Sequence, residues 1–269
     1  MRYLGFILVL FFYFFNVSLV SAAEQIPTTN AVAASTTIPF DVKATVDTDG
    51  DELTDQWEIF VFKTDPNKKD SDGDSFSDST EIKDIFDPLK KNIAKNFEDQ
   101  DKDGLDDRLE WLFKTDPFNS DTDGDGFTDG NEVTKGFDPR SGSKKPLKKR
   151  IRIDLSKQIM QQELGGVVLA NFRVSTGKKG MATPTGDFAI KEKIPRAWSR
   201  SAKLWMPYWM KFTDRGHGIH ELPEWPGGKK EGVNHLGVPV SHGCVRLGIG
   251  PAKTMYEWAP VGTIIHIEH

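Results

Sequence analysis

Ser241-His-Gly-Cys-Val-Arg246 holds the only Cys in a chain of 269 residues. A lone thiol cannot close an intramolecular disulfide, and in an oxidising compartment a free one is either buried and inert or a nucleophile. Its neighbours supply what a nucleophile needs. Gly243 lets another chain approach the backbone, and consecutive N–H groups there could hold an oxyanion. A His elsewhere must then lower the thiol pKa and shuttle the proton. His217, His220, His235 and His242 are the nearby candidates. His220, in Gly218-Ile-His-Glu221, fits the end of a buried strand that aims its imidazole inward, whereas His242, beside Cys244, orients the loop. For any single His a satisfied core or surface position is the ordinary reading. His266 and His269 are terminal and receive no role.

A second chemistry is written in four acidic segments of one pattern, with carboxylates at loop positions 1, 3, 5, 9 and 12. They are Asp47, Asp49, Asp51, Asp55 and Glu58; Asp70, Asp72, Asp74, Asp78 and Glu81; Asp99, Asp101, Asp103, Asp107 and Glu110; and Asp121, Asp123, Asp125, Asp129 and Glu132. Alternate residues of a tight loop face a common centre, and a Glu at position 12 can reach back with both oxygens, so the cage suits Ca²⁺. This half has no His or Cys, which argues against zinc or copper. The residue at position 7 (Leu53, Phe76, Leu105, Phe127) is expected to give its carbonyl to the metal and its side chain to a small core completed by Trp57, Phe60, Phe62, Trp111 and Phe113. Phe62-Lys-Thr-Asp-Pro66 returns as Phe113-Lys-Thr-Asp-Pro117, so the loops form a duplicated pair. A solvated acidic linker has no reason to repeat ligand-like spacing four times. The segment is poor in apolar residues, so the metal is expected to be part of its fold.

These two chemistries sit in halves of opposite charge. Residues 41–140 carry 29 Asp+Glu against 13 Lys+Arg, while 141–269 carry 10 against 21. All six His and the Cys lie in the basic half. The net charge of -5 and the low hydrophobic content of 37% exclude a polytopic membrane protein and give no sign of nucleic-acid binding. Arg2, the apolar run Leu4–Val20 and Ser21-Ala22-Ala23 read as a secretory signal peptide over 1–23, leaving no stable membrane anchor after cleavage. The product is expected in the periplasm, cell wall or cell surface. Residues 24–44 read as a flexible spacer, 45–140 as tandem calcium repeats, and 141–150 as a basic linker broken by Pro146. Beyond it, 158–164 and 167–175 flank Gly165-Gly166 as a hairpin, 262–267 reads as a strand, and Pro251 to Trp258 as a short helix with Pro in its first turn. The expected catalytic domain, 151–269, is mostly β.

The acidic repeats resemble the bacterial thrombospondin type 3 repeats and, more loosely, EF-hand or dockerin loops, over about 45–140. They depart from the pattern at position 6, where Glu52 and Ser75 replace the Gly kept as Gly104 and Gly126. The basic half resembles the L,D-transpeptidase catalytic domain (YkuD type). The motifs are Ile151-Arg-Ile-Asp-Leu-Ser-Lys-Gln158, Ser175-Thr-Gly177, Thr183-Pro-Thr-Gly-Asp-Phe188, Met206 to Phe212, Gly218-Ile-His220 and Ser241-His-Gly-Cys-Val-Arg246. The resemblance implies Cys244 as nucleophile and His220 as general base, with the N–H groups of His242, Gly243 and Cys244 as oxyanion hole. It implies acyl transfer on peptidoglycan stem peptides. The Cys attacks the third residue of a tetrapeptide stem, expels D-Ala, and the thioester passes to an amine; with water the same site is an L,D-carboxypeptidase. Arg246, Ser241, Tyr208 and Trp209 are the expected substrate contacts, with Trp198, Trp205 and Trp225 as further groove aromatics; the alternatives are a structural Arg246 that holds the Cys loop and, for the aromatics, ordinary core positions. Twenty residues, 221–240, separate His220 from Ser241, more than the family signature usually has, and Glu221 stands where Gly is frequent. Two rival readings remain. A zinc peptidase would use His217, His220, His235 or His242, but no His-x-His or His-Glu-x-x-His motif is present. A calcium-stiffened surface module would bind anionic wall polymer without catalysis, leaving Cys244 and His220 unexplained. Finally, -16 beside +11 suggests that the acidic half docks on the basic one and covers the site when calcium is absent.

Overall fold

The computed structural model describes residues 39–142 and 144–269. The expected signal peptide and spacer residues 24–38 lie outside them. Each acidic loop leads into a short helix: α1 (Asp55–Trp57, continued by a π turn over Glu58–Phe62), α2 (Asp78–Lys83), α3 (Asp107–Phe113) and α4 (Asp129–Lys135). Polar caps start three of them: Ser77, Asp106 and Thr128 accept from the N–H of Thr80, Leu109 and Asn131. The repeated Phe-Lys-Thr-Asp-Pro is a helix stop, because Lys63 and Lys114 both take φ 65° just past the last helical turn. Leu53, Trp57, Phe62, Ile82 and Trp111 form a small core there. At position 7, Leu53 and Leu105 are buried as expected, but Phe76 is 55% exposed.

The basic half is a mostly β domain built on β1 (Lys149–Asp154), β2 (Ile159–Leu164), β3 (Val167–Ser175), β4 (Gly186–Ala189), β5 (Glu192–Ser199), β6 (Leu204–Lys211), β7 (Gly218–Glu221), β8 (Val245–Leu247) and β9 (Ile264–Glu268). The sheet order is β4-β9-β1-β2-β3-β8-β7-β6-β5, with β1–β9 and β7–β8 parallel. The sheet curls upon itself, since Ile190 bonds to Thr263 beside β9 while Lys191 bonds to Lys211 at the end of β6. The β2–β3 hairpin turns at Gly165-Gly166, and α5 (Pro251–Trp258) begins on its Pro. Ile151, Ile153, Met160, Val174, Met210, Phe212, Ile219, Val245, Met255 and Ile265 fill the interior.

Residues 141–150 are not a loose tether. Phe137 bridges Pro146, Leu147 N–H donates to Gly136 O at 2.8 Å, and β1 starts at Lys149. The two halves instead share a core in which Leu105, Phe113 and Val133 meet Leu164, with Leu147, Val167, Leu169 and Trp258 around them. Arg108 of α3 seals it. Its buried guanidinium donates to Ile82 O, Lys83 O and, across the divide, Val168 O at 2.9 Å. A register shift in β2–β3 makes Leu169 an extra residue beside this carbonyl. The halves therefore meet through apolar packing, the Arg108 bonds and backbone hydrogen bonds at the junction, and among the described residues no ion pair joins them. This contact involves the β2–β3 hairpin and Trp258 of α5.

Candidate active site

The β7–β8 register decides which side chains share a face. His220 lies opposite Arg246, and Cys244 precedes Arg246 by two residues, so all three project to one side. They line a cavity of about 580 Å³ whose wall residues all fall within 199–246.

His220 is buried, and its Nδ1 lies 2.6 Å from Glu221 O. A carbonyl only accepts, so Nδ1 carries the proton and Nε2 is left as a base. Burial pushes the His220 pKa down to about 4, with the Glu221 carbonyl opposing and Arg246 adding to the fall. Burial likewise raises the Cys244 thiol, against the Gly218 N–H and Arg246, which both favour the thiolate. The resting pair is thus thiol and neutral imidazole. Trp209 roofs His220 at 5.6 Å between ring centroids, and Gly218 makes room, since a Cβ there would come within 2.6 Å of the indole.

The other residues singled out in the sequence divide in the structure. Ser241 is fully buried and staples the loop: its Oγ donates to Cys244 O at 2.6 Å and accepts from Gly243 N–H at 3.1 Å. It is a positioning residue, not a substrate contact. The same bond occupies the Gly243 N–H, so this expected oxyanion donor is already engaged. Gly243 is needed for another reason. Its φ is +104°, and a Cβ would lie 2.8 and 2.9 Å from His217 Cδ2 and Nε2, so the imidazole of His217 packs directly on it. His242 is exposed and lines the cavity, as do Trp209 and Trp225. Tyr208 does not; it packs on Tyr256 of α5 at 5.7 Å, against the main core. Trp198 and Trp205 stack edge to face outside the cavity lining.

Arg246, expected to meet a substrate carboxylate, is held by the chain itself. Its Nη1 donates to both Glu231 oxygens at 3.1 and 2.9 Å. Glu231 comes from the long 221–240 segment, which folds as a ribbon: Glu224 bridges both Trp205 and Lys230, and Glu231 N–H donates to Pro223 O. The same ribbon brings Lys230 onto the buried carboxylate of Glu221. Sequence spacing marked this segment as extra, but nothing in it announced that Glu231 and Lys230 would clamp the strands carrying Arg246 and His220. The contact of His217 with Gly243 was equally invisible.

Stretches of the chain are similar to known proteins. Residues 148–267 match the L,D-transpeptidase catalytic domain. Residues 47–69 and 121–139 match the bacterial TSP3 repeat. The chain is 28% identical over 139 residues to YciB of Bacillus subtilis strain 168, a protein provisionally named an L,D-transpeptidase, covering 48% of this chain and 72% of that one. Similar solved structures include an L,D-transpeptidase from Mycobacterium smegmatis (23% identity, 46% of this chain, TM-score 0.41) and one from Stackebrandtia nassauensis (29%, 45%, 0.39). The chain spans 60% and 56% of the lengths of those two. Apart from Glu268, the curled, mostly β sheet lies within the residues that match the L,D-transpeptidase catalytic domain, and the loop-rich segment ahead of it includes the two stretches that match the TSP3 repeat.

In each of the four acidic loops, one oxygen from each residue at positions 1, 3 and 5 gathers within 4.8 Å. Buried oxygens of Asp49, Asp72, Asp101 and Asp123 at position 3, and of Glu58, Glu81, Glu110 and Glu132 at position 12, have no hydrogen-bond partner in the protein. Burial pushes these glutamates up to about 8, 7, 9 and 7, with the loop aspartates adding to the rise. Orphaned, mutually repelling carboxylate oxygens are a donor set that fits a hard divalent cation. The position 9 residues differ from expectation. Asp55, Asp78, Asp107 and Asp129 spend both oxygens on loop position 2 (Thr48, Ser71, Gln100, Thr122), closing the loop rather than entering the cage. Loops also pair: Asp51 accepts from Ser79 N–H and Asp103 from Gly130 N–H, at 2.9 and 2.6 Å.

Proposed function

We propose that the chain is an exported peptidoglycan L,D-transpeptidase working through a Cys244 thioester. The observation that carries this reading is a single cavity lined both by Cys244, the residue before β8, and by a buried His220 of the paired β7, with Nδ1 anchored on Glu221 O. His220 Nε2 takes the thiol proton as sulfur attacks the carbonyl of the third stem residue. The oxyanion is met by the N–H groups of His242 and Cys244, that of Gly243 being engaged by Ser241. Collapse breaks the C–N bond, and His220 returns its proton to the departing D-Ala amine. An amine of a second stem then attacks the thioester, forms the cross-link and frees the thiol. The TSP3 loops hold Ca²⁺ through positions 1, 3, 5 and 12, which supplies the positive charge that lets these carboxylates be buried together. Mass spectrometry of tetrapeptide muropeptides incubated with the full chain and calcium should show cross-linked dimers that vanish in Cys244→Ala. Dimers persisting in Cys244→Ala would overturn the thiol mechanism, and tripeptide alone would make the enzyme a carboxypeptidase.

A further inference from the structure

Apart from its imidazoles, the cavity that holds Cys244 and His220 is lined, among the described residues, by three charged side chains: Glu231, Arg246 and Arg215. The first two neutralise each other. Arg246 Nη1 donates to both Glu231 oxygens in a nearly buried pair. Drawing Arg246 onto a ligand would leave the Glu231 carboxylate buried and uncompensated, which is strongly unfavourable. Arg215 is in the opposite position. It is exposed, and its guanidinium makes no hydrogen bond or ion pair among the described residues, while the adjacent carboxylate, Asp214, pairs with Lys191 at 2.8 Å. The turn that carries Arg215 is fixed beside the catalytic loop. Phe212 N–H donates to His217 O at 3.0 Å and Gly216 N–H to Thr213 O at 3.2 Å, closing the connection between β6 and β7. His217, at the end of this turn, packs on Gly243, the residue before the nucleophile.

We propose that Arg215 binds the terminal carboxylate of the donor stem, and so selects stems whose fourth residue ends in a free acid. This rests on the transpeptidase reading above. Sulfur attacks the carbonyl of the third residue, and the fourth residue follows directly. Its carboxylate therefore lies within about 3.5 Å of chain, one residue's length, of the bond that breaks. Binding the donor thus carries an anion into a cavity that already contains Glu231. Arg246, whose type and place in the sequence suggested this task, is engaged by that glutamate. Arg215 is the remaining fixed cation, and its planar fork can meet a carboxylate with two parallel N–H bonds. Being exposed, it reaches the anion without a buried partner having to be given up. It also borders an adjoining open cavity of about 700 Å³, so the carboxylate end of the stem lies toward that mouth.

The test gives the full chain, with calcium, two tetrapeptide stems that differ only at the C terminus, one a free acid and the other a carboxamide. Thioester formation is followed by intact mass over a range of substrate concentrations. In the wild type, kcat/KM for the acid should exceed that for the carboxamide by about tenfold, as expected for a hydrogen-bonded charge pair. The difference should lie mainly in KM, because the carboxylate is held equally before and during the attack. In Arg215→Gln the two substrates should come within about twofold of each other, and Arg215→Lys should restore part of the preference. Equal use of acid and carboxamide by the wild type overturns the proposal, and so does an undiminished preference in Arg215→Gln. If that variant loses the same factor on both substrates, Arg215 merely supports the turn and the proposal fails. Should Arg215→Gln not fold, Arg215→Ala is judged by the same outcomes. Thioester on neither substrate in the wild type would instead defeat the transpeptidase reading itself.

Discussion

At the scale of residues, the site rests on groups whose charge states are set by burial. His220 refuses a proton until pH approaches about 4, whereas an unfolded chain would bind it near 6.5. Between those values the unfolded state holds the extra proton, so stability falls as pH falls through that window, by about 3 kcal/mol over the whole interval. The rate of thioester formation should stay level through pH 6.5 and drop only towards about 4. In His220→Gln, the melting temperature should depend less steeply on pH across the same range than in wild type; equal slopes would show that other groups govern acid lability. The shared cavity of Cys244 and His220 fits the sequence reading because a single thiol in a Gly-containing loop, and a His after an apolar residue, are local signals. Ser241 was misread as a substrate contact because a Ser beside a nucleophile looks the same whether its hydroxyl faces solvent or, as here, ties two backbone groups.

At the scale of elements, the calcium loops and the 221–240 ribbon show what spacing can and cannot say. Position 6 takes a left-handed backbone in all four loops, with φ 83° at Glu52 and 84° at Ser75 as well as at Gly104 and Gly126. The missing glycines therefore leave the loop shape intact and store strain. Ser75→Gly should raise stability by about 0.5–1 kcal/mol, the left-handed penalty less the entropy that Gly loses on folding. Glu52→Gly should gain less, because it also removes the ion pair with Lys83. Denaturant titration in calcium checks both. The gathering of positions 1, 3 and 5 in each loop was readable from periodicity. The turning of position 9 onto position 2 was not, since an aspartate that closes a loop and one that enters its centre share one letter. For the ribbon, Arg246–Glu231 is nearly buried on both sides, at 11% and 10% exposure, while Lys253–Glu257 is open at 57% and 64%. Glu231→Gln should cost about 3 kcal/mol and Lys253→Ala under about 0.5, read from unfolding midpoints.

At the scale of the whole molecule, the sequence showed two chemistries and a charge boundary but not their union. The basic stretch 141–150 looked like a linker because Pro, Gly and Lys dominate it; Leu147 alone betrays the core it helps to fill. With that core and Arg108 shared, removing calcium should lower the melting temperature of the catalytic half as well, in a single transition. Arg108→Ala strips the donors from Ile82, Lys83 and Val168 carbonyls and should separate the melt into two steps, resolved by calorimetry with and without chelator. The order of the sheet has a consequence for how the molecule is made. Ile264–Glu268 supplies the strand between β1 and β4, over a hundred residues after β1 has been synthesised. Until Ile264–Glu268 has been made, β4 has no strand partner and β1 lacks the neighbour that packs beside Ile151 and Ile153, so the sheet cannot close on that side. The acidic repeats, whose contacts are local, can mature first and wait as a seed on which the late-closing sheet condenses.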